Sequence, residues 1–92
     1  MSSLIGRSIL VSGKVQGVFY RASTLEEANK LGLKGWVKNL PAGEVFIEVF
    51  GESEAVEKLI AWCKHGPPMS KVSNVSIKEI AFREERIFEI TY

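Results

Sequence analysis

The chain has 92 residues, 46% hydrophobic and 25% charged, with a formal net charge of +1 and one cysteine. Residues 1–92 are therefore expected to form one soluble globular domain with no intrachain disulfide, and the near-neutral balance gives no basis for nonspecific nucleic-acid or membrane-surface binding. No apolar run approaches the roughly 18–20 residues of a membrane helix, and Met1-Ser2-Ser3-Leu4-Ile5-Gly6-Arg7 lacks the basic start and apolar core of a signal peptide, so a cytoplasmic location is expected.

In chain order, the apolar run Ile9-Leu10-Val11 reads as a strand that enters a glycine-punctuated stretch, residues 13–21. A helix follows, with Ala22, Leu25, Ala28 and Leu31 on one stripe and Glu26, Glu27 and Lys30 outside it; Gly32 stops it. Its start is ambiguous. Ser23 and Glu26 form a capping box, but an earlier start would bring Arg21 into the first turn.

Gly35-Trp36-Val37-Lys38-Asn39 reads as a strand, joined by the turn Leu40-Pro41-Ala42-Gly43 to a second, in which Val45, Ile47 and Val49 alternate with Phe46, Glu48 and Phe50. Ser53 caps the next helix, whose stripe is Val56, Leu59, Ile60 and Cys63, and Gly66-Pro67-Pro68 ends it. Val75 and Ile77 belong to a further strand, and Phe88, Ile90 and Tyr92 alternate in a short last one. The predicted fold is α+β: a βαββαβ ferredoxin-like two-layer sandwich with an additional C-terminal strand, a mainly antiparallel sheet and both helices on one face.

The stretch Gly13-Lys14-Val15-Gln16-Gly17-Val18-Phe19-Tyr20-Arg21 is where chemistry can reside. A strand, a glycine-containing loop and a helix start can direct successive backbone N–H groups at an anion, and an arginine adds a planar fork for phosphate oxygens. The same pattern also describes an ordinary strand-to-helix turn with Arg21 on the surface, and spacing alone leaves both open. Other phosphate chemistries are excluded by residue type. There is no Gly-Lys-Ser/Thr tripeptide, only two glycines where a dinucleotide fingerprint needs three, and Val15 where a cysteine phosphatase would carry its nucleophile.

Asn39 is the second candidate. It is either a turn-favouring residue or, if the Trp36 strand lies beside the Leu10 strand, a side chain near the loop that orients a water molecule. An amide cannot take a proton at neutral pH, so it would not act as a base.

Residues 13–21 resemble the signature of the acylphosphatase family, and Gly35-Trp36-Val37-Lys38-Asn39, followed by Gly43 and Val45, resembles its second signature. The likeness continues through Leu31-Gly32-Leu33, Gly51, Gly66-Pro67-Pro68 and Phe88-Glu89-Ile90-Thr91-Tyr92. Tyr20 stands where many members have Phe, and Ser70 where Ala is common. The resemblance implies hydrolysis of the carboxyl–phosphate bond of small-molecule acyl phosphates, with inorganic phosphate as product and competitive ligand. It further implies that Arg21 binds the phosphate, that Gln16, Gly17, Val18, Phe19 and Tyr20 cradle it, and that Asn39 positions the attacking water. No cofactor or metal is implied, and a monomer is expected. Hydrogenase-maturation carbamoyl transferases carry a related domain, but their zinc-finger cysteines have no counterpart here.

The remaining residues take plainer roles: His65 at a helix end, Cys63 in the core, Trp36 and Trp62 in packing with Trp36 able to border the site, and Lys14 and Lys38 at the surface. Two other function classes are distinguishable by experiment. One is a noncatalytic anion-binding module; the other is an RNA-binding domain using Phe46 and Phe50 on an open sheet face, which Glu48 between them and the low net charge argue against.

Overall fold

The computed structural model describes residues 3–92; Met1 and Ser2, part of the segment read for a signal peptide, lie outside them. The elements are β1 (Leu4–Lys14), α1 (Tyr20–Lys30), β2 (Lys34–Asn39), β3 (Val45–Glu52), α2 (Ser53–Cys63), β4 (Lys71–Ile80) and β5 (Phe88–Ile90). They form a five-stranded sheet in the order β4-β1-β3-β2-β5. Every pairing is antiparallel except that of β2 with β5. The predicted ferredoxin-like arrangement and the extra strand are both present.

Alternation along the strands decides what the sheet buries. Ile9, Val11, Val37, Val45, Ile47 and Val49 lie on the face covered by the helices and are fully buried, each side chain contributing about 1.5–3 kcal/mol of burial. α1 packs on β2 and β5, and α2 on β1 and β3. β1 extends well beyond its apolar run because it pairs on both edges, with β3 and with β4.

The helices bear on three readings. α1 starts at Tyr20, the earlier of the two starts and the one favoured for bringing Arg21 into the first turn, so Ser23 is not its cap. Its buried stripe is Tyr20, Thr24 and Ala28, whereas Ala22 is exposed. Thr24 is tolerated inside because its hydroxyl donates to the Tyr20 carbonyl at 2.8 Å. In α2 the extended residue before the helix is Glu52, so Ser53 is the first helical residue rather than the cap.

The open sheet face corrects a fourth. Phe50 is only 1% exposed, with Phe82 edge-on at 6.4 Å and the Arg83 guanidinium 4.8 Å over its ring. Arg83 also bonds Glu48 at 3.0 Å, and Phe46 packs against Trp36. Phe50 is therefore no platform for a stacked base.

Tyr20 joins the two helices. Its ring lies 5.4 Å from Trp62, and its buried hydroxyl donates to the Cys63 carbonyl at 2.7 Å. That carbonyl is at the end of α2, where the helix itself offers no donor. Tyr20→Phe should thus lower stability by about 1–3 kcal/mol, read as a shift in denaturant midpoint at unchanged m-value.

Burial also pushes the Cys63 thiol from its ordinary 9.0 up to about 12. The folded protein keeps this proton where the unfolded chain releases it, so the contribution is intact below pH 9 and is lost as pH rises towards 12. Unfolding measured from about pH 8 to about pH 11 should show stability falling by up to roughly 1.4 kcal/mol per unit, with a shallower slope in Cys63→Ala.

Candidate active site

The loop between β1 and α1 is built by alternating anchors. Val15, Val18 and Tyr20 are buried in the core, which fixes the backbone between them, while Phe19 points outward, 78% exposed. At the start of the loop a bulge in the β1–β4 pairing falls at Gly13, where any side chain would collide with the Lys71 carbonyl. Gly13 thus serves close strand approach and belongs to β1, not to the loop.

Gly17 has φ 74° and Phe19 φ 66°, whereas Val18 between them is not in the positive-φ region. Alternating backbone hand makes successive N–H groups converge on one side, the concave arrangement that binds anions. The first bond of the helix runs from the Ser23 N–H to the Phe19 carbonyl at 3.0 Å. Among the described residues, the N–H groups of residues 17–22 find no backbone acceptor. α1 has no acidic residue in its first turn, so its positive end is not neutralised locally.

Arg21 lies in that first turn. Its guanidinium is 5.1 Å from the centre of the Tyr92 ring, and among the described residues no carboxylate pairs with it.

Asn39 ends β2 on the helix-covered face, in register with Val45. Its Oδ1 is buried without a hydrogen-bond partner among the described residues. The route by which Asn39 reaches the loop differs from the expected one. β2 is not beside β1; β3 lies between them, and it is α1, crossing onto β2, that brings the loop over the end of that strand.

Gln16 fastens the two segments together. Its Nε2 donates to the Leu40 and Glu44 carbonyls, both at 2.8 Å, and so holds the turn that follows Asn39.

These pieces enclose a cavity of about 370 Å³ lined by Val15, Gly17, Phe19, Tyr20, Arg21, Ala22, Asn39, Ile90 and Tyr92. Gly17, Phe19, Tyr20, Arg21 and Asn39 were expected there; Gln16 and Val18 do not line it, the first turned to the β2–β3 turn and the second into the core. Trp36 does not border it either, because alternation puts it on the opposite face from Asn39. It pairs there with Phe46, with the Lys38 ammonium 5.5 Å from its ring. Sequence reasoning missed Val15, Ala22, Ile90 and Tyr92. Ile90 and Tyr92 enter through the parallel pairing of β5 with β2, which aligns Ile90 with Val37 and for which the sequence carries no local signal.

The wall contains no Asp, Glu or His, and no cluster of three or more potential metal ligands occurs among the described residues. The arrangement therefore offers an anion one guanidinium and a set of oriented N–H groups, with an unpaired amide oxygen nearby.

The sequence model of the Acylphosphatase family matches residues 7–90. The chain belongs to the acylphosphatase family. It is 51% identical to the Acylphosphatase of Aeropyrum pernix over 98% of this chain and 91% of that protein. The structure of an acylphosphatase from Coxiella burnetii superimposes with a TM-score of 0.92 at 41% identity, covering 96% of this chain and 93% of that one. The crystal structure of acylphosphatase from Bacillus subtilis gives 0.93 at 37% identity, covering 98% and 100%. The chain is an acylphosphatase enzyme, and its substrate is a small-molecule acyl phosphate.

In this acylphosphatase the Gln16 clamp spans 24 and 28 residues of sequence, so its loss should be felt at the turn rather than in the loop alone. Gln16→Leu should lower stability by roughly 1–3 kcal/mol and speed hydrogen exchange at the Leu40 and Gly43 amides, measured by denaturation and by amide exchange.

Proposed function

We propose that hydrolysis proceeds by in-line attack of a water on a phosphoryl group bound in the loop. Arg21 grips the phosphate oxygens together with the N–H groups at the start of α1, and Asn39 Oδ1 accepts a hydrogen bond from the attacking water. The observation that carries this reading is the unpaired Asn39 Oδ1 bordering the same cavity as Arg21 and the left-handed turns at Gly17 and Phe19.

The chemistry needs little more. As the water oxygen bonds to phosphorus, the bond from phosphorus to the acyl oxygen breaks and a carboxylate departs. Carboxylates are stable anions near neutral pH, so the leaving group needs no proton donor. Phosphoryl transfer depends mostly on positioning and on stabilising charge at the equatorial oxygens, which the guanidinium and backbone donors supply. With no carboxylate or imidazole in the wall, the proton lost by the water passes to a phosphate oxygen. Inorganic phosphate, the product, competes for the same cradle.

The test is hydrolysis of benzoyl phosphate, followed by ultraviolet absorbance in excess chelator. Wild type should turn over. Asn39→Ala should lose about 100- to 1,000-fold in kcat with phosphate inhibition retained, whereas Arg21→Ala should lose at least as much and also weaken that inhibition. Wild-type rates in both variants would refute the assignment. His65→Gln should leave the pH profile unaltered, because His65 lies outside the cavity; a changed profile would point to a protein base.

A further inference from the structure

Charge is divided unevenly along β1. At its start Leu4 stands opposite Glu52, and a second cavity at that end is lined by Glu52, Glu84 and Glu85 together with Lys34 and Arg83. At its other end, where the loop to α1 begins, Lys14 stands directly opposite Lys71.

Two ammonium groups in one cross-strand pair oppose folding, because like charges directly opposite destabilise a sheet. Gly13 tightens the arrangement, since it sits against the Lys71 carbonyl and lets the strands approach closely beside the pair. Both lysines are exposed, and among the described residues no carboxylate forms an ion pair with either. Other cations near this end have structural reasons. Lys38 lies over the Trp36 ring, and Lys64 follows the C-terminus of α2, where a positive charge suits the helix dipole. Neither reason applies to Lys14 and Lys71.

The pair does have a neighbour that it suits. Lys14 directly precedes Val15 of the cavity wall, and three residues of chain reach at most about 11 Å, so its Cα is no further than that from Gly17. A phosphoryl group bound there carries close to two negative charges near neutral pH. At about 12 Å in water of low ionic strength, one ammonium raises the local concentration of such a dianion about two- to threefold. Salt at about 1 M shortens the screening length to roughly 3 Å and removes the effect.

Resting on the reading that the cavity binds an acyl phosphate, we infer that Lys14 and Lys71 are a capture pair, whose joint field draws the anionic substrate to the loop at a cost in fold stability. Neither residue lines the cavity, so the pair acts on KM and leaves kcat to Arg21 and Asn39.

The experiment measures kcat/KM for benzoyl phosphate from about 0.01 M to about 1 M ionic strength. It compares wild type with Lys14→Gln/Lys71→Gln, with the charge-keeping Lys14→Arg/Lys71→Arg, and with Lys30→Gln/Lys34→Gln. The last removes the same charge from the end of α1 and the start of β2, away from the loop. At low ionic strength Lys14→Gln/Lys71→Gln should lose about four- to eightfold in kcat/KM, through KM, with inhibition by inorganic phosphate weakened by a similar factor. The loss should vanish at high ionic strength. The other two variants should keep wild-type values. The denaturant midpoint of Lys14→Gln/Lys71→Gln should be no lower than that of wild type, because a repulsion has been removed. Wild-type kcat/KM in that variant at low ionic strength, a loss that persists in high salt, an equal loss in Lys30→Gln/Lys34→Gln, or a lowered midpoint overturns the inference and leaves the acylphosphatase reading intact. No turnover by folded wild type overturns that reading and the inference with it.

Discussion

The site depends on the burial of Tyr20. Its ring is enclosed between the helices, and its hydroxyl satisfies a carbonyl at the end of α2. α1 is thereby forced to begin at this residue, one position before Arg21. With Val15 and Val18 also committed to the core, the intervening backbone has few ways to connect, and it takes left-handed turns at Gly17 and Phe19. An apolar constraint thus determines where polar groups point.

A second constraint acts across the sheet. The Gln16 amide uses its hydrogens on two carbonyls of the β2–β3 turn, which ties the β1–α1 loop to the strand end bearing Asn39. Among the described residues Asn39 Oδ1 has no hydrogen-bond partner, so the orientation of its side chain relies on that backbone being held. Few groups suffice for phosphoryl transfer when their positions are fixed in advance, because the reaction is governed by alignment and charge.

Much of this was legible in the sequence for local reasons. The alternation of Val45, Ile47 and Val49 and the spacing of Val56, Leu59 and Cys63 specify a strand and a helix irrespective of context, and the βαββαβ order follows. Arg21 and Asn39 were visible as candidates because their residue types and the two signatures are local patterns. The α1 stripe was misread because a buried Thr24 looks polar until its bond to the Tyr20 carbonyl is known. Gln16 was assigned to the cradle because position in a chain does not reveal where a long amide side chain turns.

By itself, then, the sequence determined the elements, their order, the two signature segments and the chemistry those segments can support, since each depends on residues near one another in the chain. Tertiary structure alone decided that β3 separates β1 from β2, that α1 carries the loop onto the end of β2, and that β5 pairs in parallel to bring Ile90 and Tyr92 into the wall. These are long-range pairings, fixed by how the sheet closes its core and covered by no local propensity. The shape of the cavity belongs to that second category.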